Sequence, residues 1–176
     1  MKSKLYNNLP NLISLSRLLF SPFLFFLSEK LLPFFFLSLA LSDALDGFLA
    51  RRLRLKTELG KVLDPLADKV MMLCGLSLCV FKLNSLPAWL LYLTLMRDLF
   101  LVLGSILLTL RGIGIPEARP LGKAFTFYLS LLVFLSMIKP LPSWPLWLAL
   151  LLLILSWLDY SVLGIKRFRN QTFSLS

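Results

Sequence analysis

Asp43-Ala44-Leu45-Asp46-Gly47-Phe48-Leu49-Ala50-Arg51, followed by Gly60, Asp64 and Asp68, holds four of the nine acidic residues of this chain. On helices, Asp43 and Asp46 lie three positions apart and Asp64 and Asp68 four apart, so each pair occupies one helix face. Two neighbouring helices of this kind close four carboxylates around one volume. Anions that near to one another repel unless a positive charge sits among them, and hard divalent cations with oxygen ligands are the usual answer. The stretch therefore reads as a metal site formed by Asp43, Asp46, Asp64 and Asp68.

The surroundings of this stretch decide the fold class. The chain has 176 residues, 58% of them hydrophobic, with only 8 glycines, a balance far from that of an average soluble globular domain. Crossing a bilayer takes about 20 mostly apolar residues. The runs at 11–28, 31–52, 61–81, 86–110, 121–138 and 143–163 all approach that length. The expectation is an all-α polytopic membrane protein, a bundle of six transmembrane helices forming one membrane domain over 1–176, because the loops are too short to hold a soluble domain. The basic start followed by an apolar run imitates a signal peptide, but Arg17 interrupts the run and no small-residue cleavage site follows. The first helix is therefore expected to be retained.

Within that frame the aspartates fall at one depth. At about 1.5 Å per residue, Asp46 and Asp43 lie about 9 and 13 Å inside the end of helix 2, and Asp64 and Asp68 about 5 and 11 Å into helix 3. Acids inside a membrane each cost at least about 2.5 kcal/mol on insertion scales, so they mark function. The plainer alternative is a set of buried ion pairs with Arg51, Lys61 and Lys69. Gly47 and Ala50 share the aspartate stripe and permit close approach of a helix or a ligand.

The net charge of +10 suggests nucleic acid until its distribution is considered. Lys2, Lys4, the basic residues from Arg51 to Lys61, Arg111, Arg119, Lys123, Lys166, Arg167 and Arg169 fall at one set of helix ends; Lys30, Lys82 and Lys139 fall at the other. With six spans, this places both termini and the acidic site on the cytoplasmic side of the cell (inner) membrane, and the charges meet membrane lipids rather than nucleic acid. The chain has no histidine, so acid–base chemistry falls to carboxylates, lysine or tyrosine. Cys74 and Cys79, five apart in one span, are not expected to pair.

Outside the aspartates, Asn11, Ser14 and Arg17 recur at threes on helix 1. This polar stripe either faces the carboxylates or reflects a snorkelling arginine and a cap. Arg97 and Asp98 lie deep in helix 4, as an ion pair or as substrate contacts. Gly112, Gly114, Pro116, Pro120 and Gly122 bend the next loop, and Arg119 and Lys123 are expected at the cytoplasmic mouth. Asp159 and Tyr160 read as interfacial.

The pattern Asp43-x2-Asp46-Gly47-x2-Ala50-Arg51-x8-Gly60-x3-Asp64-x3-Asp68 resembles, without a gap, the signature of the CDP-alcohol phosphatidyltransferases: eight residues at set spacing over 26 positions. The resemblance implies six transmembrane helices, commonly a homodimer, and a site open to the cytoplasm. It also implies that Asp43, Asp46, Asp64 and Asp68 hold two Mg2+ ions, with Mn2+ as the other candidate, and that Asp68 is also the general base. Gly47, Ala50 and Arg51 would receive the cytidine diphosphate of a CDP-linked lipid such as CDP-diacylglycerol, with Gly60 leaving room for it. The chemistry agrees: pyrophosphate cleavage gathers negative charge that two metals can neutralise, and an acceptor alcohol needs a base.

For the acceptor, Asn8 to Arg17 and Thr57 to Lys69 resemble the bacterial phosphatidylglycerophosphate synthases, which use glycerol 3-phosphate. Arg97, Arg119 and Lys123 could meet its phosphate. Arg97-Asp98 looks more like the cardiolipin synthase branch, whose acceptor is phosphatidylglycerol; inositol phosphate and serine also remain open. A cation- or proton-coupled transporter would also place acids in the membrane, but it would show repeated halves, and the second half has no counterpart of the aspartate pattern.

Overall fold

Among the described residues, six α-helices follow the apolar runs. The computed structural model describes residues 2–53, 58–110 and 119–174, and within these the side chains of 11–42, 60, 63–110 and 119–166. The helices are α1 (Lys2–Phe20), α2 (Leu32–Leu53), α3 (Glu58–Phe81), α4 (Ala88–Leu110), α5 (Pro120–Ile138) and α6 (Trp144–Ser174). No strand occurs among the described residues. Among the described residues, three segments are long and apolar enough to cross a membrane: α4, α5 and the Trp144–Lys166 part of α6. The chain is thus an all-α membrane protein. The aspartate pattern begins just after the shorter apolar stretch Leu32–Ser42 of α2, and α3 carries Asp64, Asp68 and Lys69 within its span.

Several boundaries differ from the apolar runs for local reasons. The first helix begins at Lys2, well before the run, and ends at Phe20. There Pro22, which lacks an N–H, stands at the start of a 3₁₀ helix, Ser21–Phe26. Ser21 Oγ donates to the Arg17 carbonyl at 2.6 Å, satisfying a group near the end of the last turn. From the far end of α3, Lys82 Nζ donates to the Phe25 and Leu27 carbonyls at 2.9 and 3.2 Å, closing this connection. Asn84, at φ 51°, takes the left-handed conformation that asparagine tolerates and stops α3. Pro120 opens α5 at the first helical position, where a missing N–H costs nothing. The last helix continues past the apolar run to Ser174.

The chain divides into two compact units, Met1–Leu86 with Val133–Pro140, and Pro87–Leu132 with Leu141–Ser176. In the first, α1 packs on α2 and α3, and α2 on α3. Leu24, Leu32, Phe36, Leu78 and Val133 are fully buried there. Gly75 lets α2 approach α3: a Cβ at that position would lie 2.6 Å from Phe36 Cε2 and 3.2 Å from Val133 Cγ1. Cys79 is a buried free thiol that accepts a contact from Ser136 Oγ at 3.3 Å, and Cys74 is also free. In the second unit α4 packs on α6, with Phe100 set edge-on to Trp157 at 5.7 Å.

Candidate active site

Asp64 and Asp68 stand one turn apart on α3, both half-buried, and Gly60, one turn before Asp64, is buried. Pro65 lies inside the same helix; its ring has no N–H to offer the carbonyl four residues back, so the helix backbone is less tied between the two carboxylates and its start. Asp43, Asp46, Gly47, Ala50 and Arg51 lie on α2, and their side chains are outside the described residues. Counted from the α2–α3 junction, Asp46 and Asp43 lie about 10 and 15 Å back along α2, and Asp64 and Asp68 about 9 and 15 Å along α3. Since these helices are packed against each other, the two pairs sit at matching levels along their helices.

Across from Asp64 is the polar stripe of α1. Ser14 Oγ donates to Asp64 Oδ1 at 2.6 Å, and Ser14 and Arg17 are fully buried. The reading of this stripe as facing the carboxylates is therefore the one realised at Ser14. Carboxylates supported by a hydroxyl form an all-oxygen donor set, which fits a hard divalent cation and not a soft one. Among the described side chains alone there is no group of three acidic, cysteine or histidine ligands; the pattern's first two aspartates lie outside that set.

The three cations expected near an acceptor fall in the second unit. Arg97, 4% exposed, donates from Nη1 to Asp98 Oδ1 at 2.9 Å and from Nη2 to Ser156 Oγ at 2.8 Å, and its guanidinium lies 4.9 Å from the Phe125 ring centre. Arg119 donates from Nε to Asp159 Oδ2 at 2.8 Å and from Nη2 to Asp159 Oδ1, while its backbone N–H donates to Tyr160 Oη at 3.1 Å. Lys123 is exposed on the first turn of α5.

Gly122 makes this cluster fit. A Cβ there would lie 2.9 Å from Tyr160 Cε2 and 3.2 Å from Arg97 Nη2. Reading Asp159 and Tyr160 as merely interfacial missed their hold on Arg119. The signal was a lone acid near the end of the last apolar run, matched by a lone arginine just before the helix that precedes it. Thr126 Oγ1 donates to the Gly122 and Lys123 carbonyls of its own helix.

A family model described as CDP-alcohol phosphatidyltransferase matches residues 7–155. The chain is 39% identical over 173 residues to the CDP-diacylglycerol–glycerol-3-phosphate 3-phosphatidyltransferase of Aquifex aeolicus strain VF5, covering 90% of this chain and 97% of that one. It is 32% identical over 184 residues to the Bacillus subtilis strain 168 protein of the same name, covering 87% and 93%. It is also 38% identical over 133 residues to a CMP-forming cardiolipin synthase of Streptomyces coelicolor, covering 69% of this chain and 60% of that one.

Proposed function

Since the chain belongs to the CDP-alcohol phosphatidyltransferase family and is thus a transferase of phospholipid biosynthesis, we propose that it moves the phosphatidyl group of CDP-diacylglycerol to glycerol 3-phosphate, giving phosphatidylglycerophosphate and CMP. What supports this acceptor is the likeness, over nearly the full length of both chains, to two relatives whose names state it. The cardiolipin synthase reading leaned on Arg97-Asp98. With Arg97 buried against Asp98, Ser156 and Phe125, that pair has a sufficient structural reason to exist.

In this reading the acceptor hydroxyl attacks the phosphorus that carries the diacylglycerol. A P–O bond forms, the pyrophosphate P–O bond to CMP breaks, and the hydroxyl proton passes to the Asp68 carboxylate. Asp43, Asp46, Asp64 and Asp68 would hold two Mg2+ ions, which supply charge neutralisation for the phosphoryl oxygens and the departing CMP. Gly47, Ala50, Arg51 and Gly60 receive the cytidine diphosphate. Arg97 is already engaged on three sides, so Arg119 and Lys123 are the better acceptor-phosphate ligands of the three. One domain of six spans, paired as a homodimer in the cell membrane with termini and site facing the cytoplasm, completes the proposal; the distribution of positive charge supports that orientation.

The test supplies purified protein with CDP-diacylglycerol and Mg2+ and offers glycerol 3-phosphate, phosphatidylglycerol, inositol phosphate and serine separately. CMP release that depends on glycerol 3-phosphate supports the assignment. Release that depends on phosphatidylglycerol instead moves the chain to the cardiolipin branch.

A further inference from the structure

We infer that Ser14 is a positioning residue of the active site. Its hydroxyl holds one oxygen of Asp64 and so fixes the plane in which that carboxylate presents its remaining lone pairs to a divalent cation. The inference rests on the reading of Asp64 as a metal ligand.

The behaviour of the other hydroxyls in the chain makes this bond informative. A serine inside a helix usually donates to the carbonyl three or four residues back, and Ser16, Ser42, Ser105, Ser136 and Ser161 all do so. Ser14 Oγ donates to a carboxylate fifty positions away on another helix. The 2.6 Å separation lies in the range of charge-assisted O–H···O⁻ bonds, and Ser14 is fully buried, so water does not compete for the hydroxyl. The carboxylate itself stays half-buried, as a group that must still meet a ligand would.

A hydroxyl placed this way does for a carboxylate what a hydrogen-bonding neighbour does for other metal ligands: it removes rotational freedom and selects one orientation before the ion arrives. Removing such a neighbour typically lowers metal affinity by about 10- to 100-fold. Arg17, one turn further along α1, is buried on the same stripe, so α1 forms a polar wall beside α3 rather than an apolar spacer. A simple α1–α3 clasp would also use this hydrogen bond, but it would have no reason to change the affinity for an ion.

The experiment measures Mn2+ binding to the purified full chain in lipid nanodiscs by loss of the free-ion magnetic resonance signal, and in parallel the Mg2+ concentration giving half-maximal CMP release. Ser14→Ala should weaken Mn2+ binding and raise the Mg2+ requirement by about tenfold, Ser14→Thr should restore both, and the metal-free unfolding temperature should not track these changes. Should Ser14→Ala fail to fold, Ser14→Cys, similar in size but a weak donor, carries the same comparison. Unchanged Mn2+ affinity in the hydroxyl-lacking variant overturns the inference alone. Absence of Mn2+ binding in the unaltered chain overturns the metal reading beneath it as well.

Discussion

Asp159 grips Arg119 through both of its carboxylate oxygens, across forty positions of sequence, and the next residue, Tyr160, accepts the Arg119 backbone N–H. The last helix thus fixes both the side chain and the main chain of the residue that introduces α5. Asp159 uses the Nε–Nη2 edge of the guanidinium. The five donors of arginine form a fork, so Nη1 remains for a second anion while the first holds the plane in place.

Asp159→Asn should therefore raise the KM for glycerol 3-phosphate about fivefold while leaving that for CDP-diacylglycerol within about twofold. The exchanged pair, Arg119→Asp with Asp159→Arg, should recover the unfolding temperature lost in either single variant without recovering the acceptor KM. Steady-state kinetics with each substrate varied in turn checks this; equal KM increases for both would reduce the pair to an anchor for α5.

The Arg97–Asp98 pair in α4 makes a different prediction. Arg97→Met removes the bonds that the buried guanidinium makes to Asp98 and Ser156, and the unfolding temperature should fall. Arg97→Met with Asp98→Leu, which removes both charges, should regain most of that stability in thermal unfolding. Activity that returns with stability confirms a structural pair; a stable double variant unable to release CMP would give Arg97 back a role toward substrate.

These two clusters differ in how far the sequence disclosed them. The helices were legible because an apolar run of span length has one stable form, and the middle runs end within two residues of α2, α4 and α5. The aspartates were legible because a carboxylate in an apolar run is costly and its spacing assigns it to one helix face. Contacts between helices distant in sequence carry no periodic signal: Asp159 was one acid between two aromatics, and Gly122 looked like a loop residue although it is the third residue of α5. The stripe of Asn11, Ser14 and Arg17 stood between these cases. Its spacing gave the face, but only the fold gave Ser14 its partner, Asp64.

Packing of the site-bearing helices can be tested at Gly75. A methyl group there would stand 2.6 Å from a ring carbon of Phe36, itself fully buried, so Gly75→Ala forces α2 away from α3. Overpacking of this kind costs about 1–3 kcal/mol. The expected result is a lower unfolding temperature in detergent, together with reduced CMP release because the two aspartate-bearing helices no longer keep their spacing. Phe36→Leu in the same chain should relieve the contact and return part of both. A Gly75→Ala chain as stable as the original would show that Phe36 moves aside without cost.

In the proposed reaction Asp68 takes the acceptor's proton, and its variant separates that task from holding metal. Replacing the carboxylate with an amide of the same shape keeps an oxygen ligand but removes the basic lone pair. Asp68→Asn should lower the rate of CMP release by at least about 100-fold, the usual contribution of a positioned general base, while Mn2+ binding weakens far less than in Asp64→Asn. If Asp68→Asn loses metal as completely as Asp64→Asn, its lost activity reports ligation, and if it turns over at a near-normal rate, another group takes the proton. Only slow turnover with the ion still bound assigns the base to Asp68.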